Sequence, residues 1–257
     1  MDTVIVAALQ CVERGLLELD DPIATTISEW TEPRILTGFD EDLEKPVLTT
    51  ATNTLTLRHL LTHSSGMAYP NPMVNPLLSK CFGEPFGTKN STVEGQFLIP
   101  LVYEPGERWE YSPGLEWAGK MVEKANGGMK LSEYLQMNRW DRLGMKSTTF
   151  DPLHRPDLME RLVERVRRAA TGLLEKDDSD MFTIGEVEDD FGGYGCYTCA
   201  RDFILILKSL LSDDGLLLGP EMRRELFQRH LARPEAFQVR IEDPILGPCL
   251  APGLARE

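Results

Sequence analysis

Apolar residues in this chain recur every three to four positions, and almost nowhere in alternation. Val4, Ala8, Val12 and Leu16, with Ile5 and Leu9 beside them, begin the pattern. That period places them on one face of an amphipathic helix, with Asp2 or Thr3 as its available cap and Gly15 as its stop. The same spacing returns at Leu57, Leu60 and Leu61, at Leu115, Ala118 and Val122, and from Ser132 to about Arg142. It returns again at Leu158, Leu162, Val166 and Ala169, at Phe203, Leu207, Leu210 and Leu211, and at Met222, Leu226 and Phe227. A two-residue period, the mark of a half-buried strand, does not follow. Helices are therefore expected to dominate.

Local signals divide these segments. Thr56 caps the second helix and Gly66 ends it; Ser91 and Glu94 have capping-box spacing; Pro105-Gly106 is a type II turn signature. Ser112 caps the next helix with Pro113 at its first position, Asn126-Gly127-Gly128 and Gly144 are stops, and Pro220 is a start. Residues 31–54 read as loop, and so do 69–90, where Pro70, Pro72, Pro76 and Pro85 leave little room for a regular element. Residues 1–232 read as one domain with neither repeat nor linker, and 233–257 as an irregular tail rich in proline and glycine.

Lys and Arg number 27 against 41 Asp and Glu, a net charge of -14. Without a basic run, that field repels phosphate backbones and anionic lipid, so neither nucleic acid nor a membrane is an expected partner. The acidic stretch "EKDDSDMFTIGEVEDD" has no EF-hand spacing and reads as a solvated loop. No apolar stretch of the length a bilayer needs occurs, and residues 1–22 lack a basic segment before the apolar run. A cytoplasmic protein is expected. Five cysteines, an odd number, argue against a disulfide framework, and Cys196-Tyr-Thr-Cys199 lacks the second pair that structural zinc requires. Neither a metal nor a cofactor is expected.

Three places carry residue types suited to chemistry. His59 and His63 stand four apart and share a helix face, which suits a metal; His63 in a last turn also suits capping of free carbonyls. Ser64-Ser65-Gly66 offers hydroxyls, but in flanks unlike the strained G-x-S-x-G elbow, and helix termination accounts for the run. Tyr111 lies between a turn and a helix start, where its phenol can stand at a cleft mouth or pack in the core. With an ordinary pKa near 10, a tyrosine needs a neighbouring cation to act as a base at neutral pH.

Five stretches in order, "VAALQCVERGLLELDDP", "LTLRHLLTHSSGM", "YEPGERWEYSPG", "LSEYLQMNRWDRLGMKSTTF" and "GGYGCYTCARDFILILKSLL", resemble the serine β-lactamase and penicillin-binding-protein family. The resemblance is to the branch with class C β-lactamases, esterases and fungal acyltransferases of the lovastatin type, and it runs over roughly residues 4 to 230. It implies an α+β, β-lactamase/transpeptidase-like fold, here mostly helical with an incomplete antiparallel sheet and an exposed apolar face. It also implies cofactor-free acyl transfer or ester hydrolysis through an acyl-serine, in secondary metabolism, between a small-molecule acyl donor and acceptor. Tyr111 falls on the family's proton-shuttling tyrosine, while Pro113 stands where an asparagine is usual. The continuation "SPGLEWAGKMVE" is closer to the acyltransferases than to true β-lactamases.

The family's Ser-x-x-Lys is absent: no serine in the chain has a lysine three residues on. By the resemblance its lysine would fall at about Met1, and the third motif beyond the C-terminus. A fragment of an active enzyme, a degenerate binding module, or a substitute nucleophile at Ser64 or Ser65 are the three explanations. The expectation is that these 257 residues alone do not turn over.

Overall fold

The computed structural model describes residues 2–83, 91–169, 171–177 and 187–230. The elements are α1 (Asp2–Glu13), β1 (Arg34–Asp40), β2 (Lys45–Thr50), α2 (Leu57–Leu61), α3 (Pro76–Phe82), α4 (Val93–Phe97) and α5 (Gly114–Ala125). They continue with α6 (Leu131–Leu135), α7 (Asp141–Leu143), α8 (Pro156–Met159), β3 (Val166–Arg168), β4 (Leu174–Lys176), α9 (Ala200–Ser212) and α10 (Pro220–Phe227). A five-residue π-helical stretch, Gln136–Trp140, joins α6 to α7.

Helix α1 is the axis of the core. Val4, Val6, Ala7, Ala8, Leu9, Gln10 and Cys11 are each at most 3% exposed, so the helix is buried on nearly all sides rather than along one stripe. The expected face ends early: Val12 is half-buried and Leu16 is exposed. Gln10 is tolerated inside because its amide donates to the Leu217 carbonyl at 2.8 Å and accepts from the Tyr134 hydroxyl at 3.2 Å. At the C-terminus, Gly15 takes a φ of 65°, and Leu16 N–H reaches the Cys11 carbonyl at 2.9 Å, a glycine-terminated Schellman ending.

Helix α5 lies against α1 and buries Leu115, Trp117, Ala118, Met121 and Val122. Trp117 meets Trp30 edge to face at 5.4 Å, and its ring N–H donates to the Phe97 carbonyl at 3.2 Å. Fully burying a side chain of this kind is worth about 1.5–3 kcal/mol, and the stacked helices gather most of that gain.

Several local expectations need correction. Residues 31–54 hold an antiparallel hairpin, β1 with β2, with an irregularity between Leu36 and Gly38. Only Ile35 and Leu36 of β1 are buried and no residue of β2 is, so apolar alternation is too weak to show. Residues 69–83 contain α3, for which Pro76 serves as the first helical residue. Thr92, not Ser91, caps α4 by accepting from Gly95 N–H at 3.1 Å. The charged segment after Pro156 makes one helical turn and then the exposed hairpin β3 with β4. On α9 the buried set is Asp202, Ile206, Ser209 and Leu210, while Phe203, Ile204 and Leu211 face solvent. The central part of the acidic stretch and the whole of the 233–257 tail lie outside the described residues. Among the described residues no helix is long and apolar enough to cross a membrane.

The architecture is thus mostly helical with two small antiparallel sheets, and α9 exposes Phe203, Ile204 and Leu211.

Candidate active site

Three loops converge at the N-terminal end of α5. The first leaves α2, the second runs from Pro105 to Pro113, and the third is the glycine-rich segment from Phe191 to Gly195.

Helix α2 begins at Thr56, whose hydroxyl accepts from His59 N–H at 3.3 Å, and ends at Leu61. His63 therefore stands past the helix, with a φ of 55° in the left-handed region that residues other than glycine seldom adopt. The chain holds it there at both sides. Ser64 N–H donates to the His59 carbonyl at 3.0 Å, and Glu110 N–H donates to the His63 carbonyl at 2.9 Å. The imidazole is buried, and its Nδ1 accepts the Ser112 N–H at 3.2 Å. With Nδ1 accepting, the ring proton sits on Nε2. Burial lowers the His63 pKa to about 4, so the ring is neutral at physiological pH.

This geometry replaces two expectations. His63 caps the segment ahead of α5 rather than the carbonyls of α2, and Ser112 points at His63 and makes no side-chain cap on α5. His59 lies against Gly106, where an added Cβ would stand 3.1 Å from Nε2. His59 and His63 thus do not converge, and no cluster of three or more His, Cys, Asp or Glu suited to a metal ion occurs among the described residues.

Tyr111 is half-buried, and its ring lies 4.8 Å from that of His63 and 5.9 Å from that of Tyr69. Burial, and then the nearby Glu116 carboxyl, raise its pKa. Its surroundings therefore hold it as a phenol, a proton donor, and a base only once a cation stands beside it.

Ser64 and Ser65 are buried in local roles: the Ser64 hydroxyl pairs with that of Thr62 at 2.8 Å, and the Ser65 hydroxyl accepts Met67 N–H at 3.2 Å. Neither shares the hydrogen bond of His63. Gly66 follows with a φ of 85°, and a Cβ there would overlap the Tyr103 carbonyl.

Glu116 is a member of the site that its position in the sequence did not announce. It is 1% exposed, accepts Gly193 N–H in a short bond, and receives the Tyr69 hydroxyl at 3.4 Å. Burial pushes its pKa up to about 8. The signal was in "FGGYG": a Cβ on Gly193 would overlap the Glu116 carboxylate, and one on Gly192 would overlap Val4 of α1. Those glycines let the third loop lie directly on α1 and α5. Cys196, just after them, is an unpaired thiol whose pKa burial raises to about 12, and Cys199 is unpaired as well.

The helical core around α1 and α5, with its two small antiparallel sheets, has a β-lactamase/transpeptidase-like fold. The chain belongs to the β-lactamase family, whose model matches residues 3–243. Lovastatin esterase of Penicillium rubens is 40% identical over 238 residues, covering 90% of this chain and 58% of that protein. Monacolin J acid methylbutanoyltransferase of Aspergillus terreus is 37% identical over 241 residues, 93% of this chain and 56% of that protein. The structure of a mutant of simvastatin synthase from Aspergillus terreus superposes with a TM-score of 0.77 at 37% identity, covering 91% of this chain and 56% of that one. The chain thus spans a little over half the length of the relatives it matches.

Proposed function

We propose that the chain is the tyrosine-bearing helical part of a cofactor-free enzyme that moves an acyl group between a small-molecule donor, an ester or acyl thioester, and an alcohol or water. Tyr111 is its proton shuttle. The observation that carries this reading is the pairing of His63 with Ser112, which fixes the backbone next to Tyr111 while the His63 ring supports the phenol. The named activities of the relatives, an esterase and a methylbutanoyltransferase, support acyl chemistry of secondary metabolism as the setting. The remaining parts of the proposal are a cytoplasmic location and a single domain over residues 1–232.

In this reading Tyr111 takes the proton of the attacking hydroxyl and returns it to the departing alcohol or thiol. Its raised pKa suits the second half of that task, and a cation beside it is needed for the first. The family's lysine would supply one, and these 257 residues contain no Ser-x-x-Lys. That absence favours a second reading, a non-catalytic module that binds a small acyl compound.

A p-nitrophenyl ester assay separates the readings. The expected result is no turnover by the 257-residue chain, and turnover that Tyr111→Phe abolishes in any longer form carrying Ser-x-x-Lys. Hydrolysis by the 257 residues that disappears in Ser64→Ala or Ser65→Ala overturns the assignment. A longer form that binds substrate without releasing nitrophenol favours the binding module.

A further inference from the structure

Helix α5 carries a carboxyl where no water reaches. Glu116 is clamped between the Gly193 N–H and the Tyr69 hydroxyl, and the space a Cβ on Gly193 would take is filled by its two oxygens. Lys120, one turn further on, is engaged by Glu123 at 2.5 Å and Asp189 at 2.9 Å. The Tyr69 hydroxyl reaches Glu116 at 3.4 Å and the Tyr69 ring lies 5.9 Å from that of Tyr111, and the charge of Glu116 raises the pKa of Tyr69, Tyr111 and Tyr194.

A carboxylate and a phenolate in one dry pocket repel strongly, because little solvent lies between them to screen the charges. Of the remaining charged groups, the amino terminus lowers the Glu116 pKa, by less than burial raises it. His63, against Tyr111, is neutral at physiological pH; Glu110, the residue before Tyr111, accepts from the Asn75 amide at 2.6 Å.

We propose that Glu116 is a positioning residue for proton transfer by Tyr111: the two titrate as a linked pair, and Tyr111 gives up its proton readily only while Glu116 keeps its own. The inference rests on the reading of Tyr111 as the shuttle. Burial holds the Glu116 proton in place at neutral pH, so the pocket is uncharged there and the phenol can accept a transient negative charge. Above the ionisation of Glu116 that possibility closes. A carboxyl kept only to bind Gly193 and Tyr69 would have no such effect, since a glutamine keeps a carbonyl oxygen to accept the Gly193 N–H and an amide N–H to donate to the Tyr69 oxygen.

The test is NMR of the 257-residue chain labelled with carbon-13 at the tyrosine hydroxyl carbon, titrated with pH, with Tyr111 assigned from Tyr111→Phe. In the unaltered chain the Tyr111 signal is expected to step where Glu116 ionises, before its own ionisation. In Glu116→Gln that first step disappears and the Tyr111 ionisation constant rises by about threefold or more, half a pH unit. Equal Tyr111 midpoints in the folded variant and the unaltered chain overturn the proposal. If the variant does not fold, the absence of the first step in the unaltered chain overturns it alone. The underlying reading fails separately: turnover surviving Tyr111→Phe removes the shuttle and leaves the linked titration intact.

Discussion

His63 and Ser112 are joined across 49 residues by a 3.2 Å hydrogen bond from the serine N–H to the imidazole Nδ1, and this bond ties the end of α2 to the start of α5. Both residues are buried, so neither end of the bond has water as a substitute. The strained φ of His63 persists because the bonds on both sides determine it.

His63→Ala removes the acceptor and keeps a side chain in the left-handed region. The expected loss is about 1–3 kcal/mol, from the buried Ser112 N–H left without an acceptor, since the backbone strain is common to histidine and alanine. His63→Asn, which tolerates that φ and offers an amide oxygen, is expected to lose less than half as much. Urea unfolding of the two variants measures the difference.

Gly66 and Gly128 have nearly the same φ, 85° and 86°, in different surroundings. Nothing lies within 4 Å of a Cβ at Gly128, whereas one at Gly66 would overlap the Tyr103 carbonyl. Gly128→Ala is expected to cost about 1 kcal/mol, the conformational penalty alone. Gly66→Ala should cost several times that, or abolish folding, as thermal melts would show.

Glu116 makes stability depend on pH in a defined direction. Between its ordinary value of 4.5 and the folded value of about 8, the folded state keeps a proton that the unfolded state releases. Stability therefore falls as pH rises through that window, at up to about 1.4 kcal/mol per pH unit from this group. His63 acts at the acid side: between 6.5 and about 4 the unfolded state takes up a proton that the folded state refuses, so stability falls as pH drops. Between 4.5 and 6.5 the two groups oppose each other, so Glu116→Gln is expected to remove the decline above that range and to unmask the acid decline within it. Urea midpoints at pH 5, 6.5 and 8 test both.

Helix legibility in the sequence followed from chemistry that is local. Gly15, Thr56, Gly144 and Pro220 terminate or begin helices as their residue types require, because a cap or a left-handed φ concerns only a few neighbours. Ser112 looked like a cap for the same local reason and is taken by a histidine 49 residues away, a partner no short window contains. Glu116 sits on a helix that also carries Lys120 and Glu123, and its burial comes from a loop 77 residues later. The position of Tyr111 in the loop just ahead of α5 was legible from the turn and helix-start signals around it. The hairpin of β1 and β2 was not, since its mostly uncovered strands need little hydrophobic patterning.

Helix α9 presents Ile204 at 56% and Leu211 at 70% exposure, while Ile206 between them is 2% exposed. Ile204→Lys and Leu211→Lys are expected to change stability by less than about 0.5 kcal/mol and to raise the protein concentration reached before aggregation. Ile206→Lys should unfold the chain. Light scattering and circular dichroism on the three variants separate the two faces.

Gln10 ties α1 to Leu217, 207 residues further along. On the ribosome, α1 emerges before its stabilising partners on α5, α6 and the loop after α9, which arrive only as synthesis proceeds. An apolar helix still waiting for those partners is open to other chains during that interval, so expression is expected to depend on chaperones and on the rate of translation.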